Sequence, residues 1–225
     1  MPLATLSSLV ERWRLKRKED WEFRWQAAKW AALFREPANQ AKCLEYWVRH
    51  RHLEDIRRLV PMGPGSSILD VGCGISTVLH FLPGRRSGVD PLGDRYRAIY
   101  RYPDELDIRR AYAESLPFPD RTFDVVFCSN CIDHVSDPEK AVAEMERVLR
   151  AGGHLVLTCE VFDEDPGKRN AGHPHGLTAE SLRALVSGFT PVAAWDSPWI
   201  GLRAYVLGEP ATDQREHILL LAKPA

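Results

Sequence analysis

The stretch Ile68–Thr77, ILDVGCGIST, constrains this chain more than any other. A short apolar run carries one acid, Asp70, and Gly72-Cys73-Gly74 follows directly. Such a run reads as a buried strand that turns tightly into the next element. A Gly-x-Gly turn at the carboxyl end of a strand lets a ligand approach the backbone. A dinucleotide would rest its pyrophosphate there, but that fingerprint asks for a third glycine where Thr77 stands. A carboxylate at Asp70 repels phosphate and suits an ammonium group. Further on, Gly88-Val89-Asp90 sets a second acid at the end of the next apolar run. At that separation a carboxylate accepts both hydroxyls of a ribose, a feature shared with nicotinamide dinucleotides.

The acid–turn–acid order favours S-adenosylmethionine, which has an ammonium and no phosphate. The surrounding pattern agrees with a nucleoside-binding α/β fold. After the breaker Pro61–Gly65, strands are expected at Ser67–Val71, Arg86–Val89, Arg109–Ala113, Phe123–Ser129, His154–Cys159, Thr190–Trp195 and His217–Ala222. Helices are expected to open at Ser76–Phe81 and to cover Asp94–Tyr102, Pro138–Leu149 and Thr178–Val186. Asp137 precedes a proline in the first turn of one of these, and Thr178 caps another. Strands alternating with helices imply a parallel sheet covered on both faces.

Residues 1–60 differ from the rest. They are rich in Ala, Leu, Arg, Glu and Lys and read as helical, with a break at Pro37–Asn39 and a second helix through Tyr46–Val60. Trp21 with Trp25, and Trp30 with Phe34, are spaced to share helix faces, and Trp13 and Trp47 add to the aromatic supply. The division expected is a helical lid or docking segment at 1–60 and a catalytic domain at 61–225.

Charge and cysteine usage set limits. The formal net charge is −1, so no bulk field draws nucleic acid or an anionic membrane. The basic run Arg12–Lys18 reads as a solvated helix face, with a polyanion contact as the other reading. Five cysteines form no short secreted framework, and the Cys128-x-x-Cys131 pair lacks a second pair for zinc. Buried thiols in a reducing cytosol fit this usage, and no metal is expected. The N-terminus lacks the apolar core of a signal peptide, and no run is long enough to span a membrane. A cytoplasmic location follows as an expectation.

ILDVGCGIST, GVDPL and the stretch from Ala113 to Leu157 together resemble the class I S-adenosylmethionine-dependent methyltransferases, closest to the type 11 branch. The resemblance covers about residues 66–158. It implies a Rossmann-like, seven-stranded, mostly parallel sheet with helices on both faces, an antiparallel last strand and an N-terminal helical extension. By resemblance, Asp70, Gly72, Cys73 and Gly74 face the methionine end of S-adenosylmethionine. Asp90, followed by Pro91, takes the ribose, Ala113 and Glu114 lie beside the adenine, and Asn130 and Cys131 form the floor under the sulfonium. Ser76 stands where glycine is common, Tyr112 where aspartate is common, and Ala151 where proline is common.

The implied reaction transfers a methyl group to oxygen, nitrogen or carbon of a small-molecule acceptor. Candidate bases follow the strand ends: His134 after the fourth strand, and His173 and His175 in the loop after the fifth. His134 is also a packing residue in such proteins, and His175 is also a loop fastener. Trp199, Arg203 and Tyr205 offer an acceptor pocket or an interface. A catalytically silent cofactor-binding subunit and a nicotinamide oxidoreductase are the other classes weighed.

Overall fold

The computed structural model describes residues 19–20, 23–24, 28–163, 174–198, 200–211 and 214–225. Ahead of the sheet, the described residues include the helices α1 (Ala28–Phe34), α2 (Pro37–Arg49) and α3 (Leu53–Leu59). Pro37 opens α2, where its missing N–H costs nothing. The single helix expected over Tyr46–Val60 is two, because the chain leaves α2 at His50 and His52 adopts a left-handed φ of 52°.

The sheet runs β1 (Ser67–Val71), β2 (Arg85–Asp90), β3 (Leu106–Arg110), β4 (Phe123–Ser129), β5 (Leu149–Val161), β6 (Thr190–Pro198) and β7 (Arg215–Ala222). Its order is β3-β2-β1-β4-β5-β7-β6. The pairings among β1 to β5 are parallel. The last strand, β7, inserts antiparallel between β5 and β6. The seven-stranded, mostly parallel architecture is as expected, and β4 falls where the sequence placed it.

Two local expectations are corrected. The third strand lies at Leu106–Arg110, not Arg109–Ala113. Its buried residues are Leu106 and Ile108, a period-two pattern, while Ala111–Ala113 leave the sheet. The helix expected from Ser76 is one 3-10 turn, Val78–Phe81, capped by the Thr77 hydroxyl.

The remaining helices are α4 (Gly93–Ile99), α5 (Pro138–Val148), α6 (Ala179–Leu185) and α7 (Leu202–Leu207). Asp137 caps α5 by accepting from Lys140 N at 3.0 Å, an interaction typically contributing about 1 kcal/mol. Thr178 and Ser181 form a reciprocal capping box on α6.

Alternation along the strands divides the core in two. Leu69, Val126 and Leu155 pack with Met145 of α5 and Leu182 of α6 on one face. Ile68, Phe127 and Val156 pack on the other with Phe34, Trp47 and Ile56 of the N-terminal helices. Helices α1–α3 therefore cover a face of the sheet, in addition to any role as a lid. Burial of a side chain such as Phe34 contributes roughly 2–3 kcal/mol. Trp30 and Phe34 meet as their spacing predicts, ring centroids 5.7 Å apart. Trp13, Trp21, Trp25, Trp199 and the run Arg12–Lys18 lie outside the described residues. No helix among the described residues is long and apolar enough to cross a membrane.

Candidate active site

The carboxyl ends of β1, β2 and β4 converge on the Gly72–Gly74 turn. Gly72 N and Cys73 N both donate to Val89 O, which ties the turn to β2. Gly72 has φ 73°, and a β-carbon there would come within 2.6 Å of Cys131 Cβ. Only glycine lets the turn lie against Cys131. Gly74 has φ 54° with nothing within 4 Å of where a β-carbon would stand, so its open side is available to a ligand.

Asp70 and Asp90 flank this turn and both are buried. Asp70 Oδ2 accepts from Thr77 Oγ1 at 2.6 Å. Burial pushes Asp70 up to about 7, against the pull of the Thr77 hydroxyl, and Asp90 adds to the rise. Such a carboxylate is ready for a cation to replace its lost solvation. Asp90 Oδ2 accepts from Gly74 N at 3.1 Å and Oδ1 from Leu92 N at 2.8 Å. Each carboxylate oxygen has a second lone pair, so Asp90 can hold the turn and still accept from a ligand.

Two cavities meet here. One, of about 140 Å³, is a slot lined by Pro91, Leu92, Ala113, Glu114 and Cys131. The other, of about 390 Å³, is lined by the turn and Asp70, and continues past Trp30, Tyr46, Trp47 and Arg51 to Arg203. Gly72, Asp90, Asn130 and His134 line both. The ten residues expected to hold the cofactor thus all face one or both cavities.

Glu114 does more than border the slot. Its Oε1 accepts from Ser136 N at 2.7 Å and Asp137 N at 3.3 Å, which fixes the loop between β4 and α5. Tyr112 donates to Glu19, and Arg110 pairs with Glu19 at 3.5 Å, so residue 19 of the N-terminal segment closes the lip of the slot. Asn130 has a left-handed φ of 52°, and its buried Oδ1 has no hydrogen-bond partner among the described residues. The Cys131 thiol is pushed well up by its hydrogen bond with Cys128 and by burial, which disfavours its reactive thiolate form. No metal-binding cluster occurs among the described residues.

The three histidines separate. His134 stands at the junction of the cavities, its Nε2 3.8 Å from Asp133 Oδ1. His175 lines neither cavity. Its Nε2 lies 3.0 Å from Val135 O, which fastens its loop to the segment between β4 and α5. His173 lies outside the described residues.

Sequence reasoning missed the network beneath the larger cavity. Arg51 is 4% exposed. Its Nε and Nη2 donate to Tyr46 OH at 3.2 and 3.0 Å, and Nη1 donates to Thr158 Oγ1. Nη2 pairs with Glu216 Oε1 at 2.8 Å. The guanidinium lies 5.3 Å from the Tyr46 ring centroid and 5.5 Å from that of Trp47. One signal was present: Glu216 sits at the start of the apolar run HILLLA, where an acid must find a partner if buried.

A glycine turn, two buried acids and two joined cavities thus gather at the strand ends of an α/β sheet. Residues 69–157 match the family model described as a methyltransferase domain, and together with the relatives below this supports a class I, type 11 S-adenosylmethionine-dependent domain. The chain is 36% identical over 107 residues to a methyltransferase of Bacillus subtilis called YcgJ, itself described as uncharacterized, covering 44% of this chain and 42% of that one. It is 32% identical over 159 residues to a probable S-adenosylmethionine-dependent methyltransferase of Mycolicibacterium smegmatis, covering 63% of this chain and 57% of that one. The chain thus spans about half the length of these relatives. The crystal structure of YcgJ superposes with a TM-score of 0.60 at 21% identity, over 79% of this chain and 100% of that one. A [4+2]-cyclase, SpnF, superposes with 0.61 at 23% identity, over 78% of this chain and 80% of that one. These two likenesses establish the fold.

Proposed function

We propose that this chain transfers a methyl group from S-adenosylmethionine to an oxygen, nitrogen or carbon atom of a small-molecule acceptor. The observation that carries this reading is the meeting of the two cavities at Gly72, Asp90, Asn130 and His134. One cavity has the makings of an adenosine slot, and the other has room for the methionine end and an acceptor.

The residues present fit the cofactor. Asp70, a buried carboxylate that burial holds near neutrality, takes the ammonium. Asp90 accepts from the ribose hydroxyls while its backbone bonds keep the turn in place. Pro91, Leu92 and Ala113 enclose the adenine, and Glu114 keeps that slot in shape. Gly74 leaves the backbone open to close approach, and Asn130 with Cys131 floors the junction. Bound S-adenosylmethionine supplies a methyl carbon on a positively charged sulfur, so the reaction asks mainly for alignment and exclusion of water. Trp30, Trp47 and Leu202 supply the apolar wall that excludes it.

His134 is the group placed to take a proton from an acceptor hydroxyl or amine as the new bond forms. Asp133 is buried beside it, Oδ1 3.8 Å from His134 Nε2. His175 acts as a positioning residue through its loop, and His173 remains a candidate on the acceptor side. Thr77 bonds to Asp70 where a dinucleotide site would have its third glycine, which disfavours a nicotinamide.

Calorimetry with S-adenosylhomocysteine, followed by transfer of labelled methyl to a panel of phenols, amines and carbon acids, tests the reading. Binding with turnover on one class supports it. Binding without turnover on any points to a silent partner subunit, and saturable NAD binding in its place points to an oxidoreductase.

A further inference from the structure

Charge is divided unevenly along the larger cavity. Both carboxylates that line it, Asp70 and Asp90, stand at the cofactor end. Among the described residues, the remainder is lined by aromatic walls and two cations, Arg51 and Arg203, with no acid. Arg51 is anchored to Thr158 of β5 and Glu216 of β7, on the side of β4 away from the β1 and β2 acids.

The counter-charge of Arg51 does not reach the cavity. Glu216 is 1% exposed and is not a lining residue. Burial pushes its carboxyl up to about 7, opposed by Arg51 and reinforced by Glu160. Arg51 donates from Nε and Nη2 to Tyr46 and once from Nη1 to Thr158, with Glu216 paired to Nη2, so one Nη1 hydrogen is left unused. Arg203, exposed at the cavity mouth, has no ion pair or hydrogen bond among the described residues. Trp47, another lining residue, has a buried Nε1 donor without a hydrogen-bond partner among the described residues. Donors and positive charge without acceptors describe a space for an anion. The rings of Trp30 and Trp47 describe a flat apolar body attached to it.

We infer that the acceptor is a small organic anion, a carboxylate or phosphate on a flat apolar body, read by Arg203 at the mouth and Arg51 deeper in the cavity. This rests on the methyltransferase reading above. The anion selects the acceptor and orients it, and the atom to be methylated faces the junction at His134.

Ligand-observed NMR titration of the full chain, saturated with S-adenosylhomocysteine, tests this with benzoate, phenyl phosphate and the neutral isostere benzamide. Benzoate or phenyl phosphate is expected to bind at least about tenfold more tightly than benzamide. The tighter of the two identifies the acid group. Arg203→Gln, a surface change that spares the core, is expected to weaken the anion about fivefold or more and leave benzamide unchanged. Its affinity for S-adenosylhomocysteine by calorimetry is expected to equal that of the parent. Equal binding of all three probes, or an anion preference untouched by Arg203→Gln, overturns this inference alone. Failure of S-adenosylhomocysteine to bind overturns the methyltransferase reading and this inference with it.

Discussion

Thr77 donates its hydroxyl to Asp70 across the glycine turn at 2.6 Å, and both side chains are almost wholly buried. The bond offsets only part of the cost of burying the carboxylate, which is pushed up to about 7. Asp70 is thus held at a cost to folding. Its folded value lies above its ordinary one, so the penalty is full above about pH 7 and fades as pH falls through that value. Asp70→Asn is therefore expected to raise the melting temperature of the free protein at about pH 8 and to give a clearly smaller gain at about pH 5. The same variant is expected to lose S-adenosylhomocysteine binding. Scanning calorimetry at both pH values checks this, and a uniform loss of stability would contradict it.

The same carboxylate makes cofactor affinity depend on pH. An ammonium is held by ionised Asp70, and protonation removes the partner. With the folded carboxyl near 7, about a tenth is ionised at about pH 6. Affinity for S-adenosylhomocysteine is therefore expected to be roughly tenfold weaker at about pH 6 than at about pH 8. Titration calorimetry across that range gives the slope. The slope should persist in His134→Ala, because the titrating group is the carboxylate.

These two acids were legible in the sequence because their signal is local. Asp70 follows an apolar run and precedes two glycines, and β4 is a nearly continuous apolar strand. The β3 strand was displaced because Leu106 and Ile108 carry a weak alternation, while Ala111–Ala113 look apolar but line a cavity. The break between α2 and α3 has no glycine or proline at His52 to announce it. The acceptor side was illegible for a different reason. Arg51, in the link between α2 and α3, meets Glu216 of the last strand, and no spacing along the chain encodes that contact.

The two turn glycines are expected to differ in what they tolerate. Gly72→Ala combines left-handed strain with a clash against Cys131 backed by β4. Gly74→Ala meets only the strain, because its β-carbon enters open space. Urea denaturation should show Gly72→Ala costing at least about 1 kcal/mol more than Gly74→Ala. Gly74→Ala should instead weaken S-adenosylhomocysteine, since its methyl occupies the cradle. Equal losses of stability would place the constraint in the backbone alone.

The Arg51–Glu216 pair yields the last prediction. Both groups are buried, so removing one strands the other. Arg51→Met is expected to cost about 3–5 kcal/mol near neutral pH, and adding Glu216→Leu should recover most of it. The sign with pH follows from the groups facing Glu216. Burial and Glu160 raise its carboxyl, and Arg51 is the group that lowers it. Without Arg51 the carboxyl moves higher still. At about pH 6 the folded carboxyl is mostly protonated with or without Arg51, so the change adds little through this group, whereas at about pH 8.5 only the parent folds with it ionised. The loss from Arg51→Met should therefore be larger at the higher pH. Denaturation of the single and double variants at both values measures this. A loss that ignores pH and survives the double change would assign the role of Arg51 to its packing between Tyr46 and Trp47.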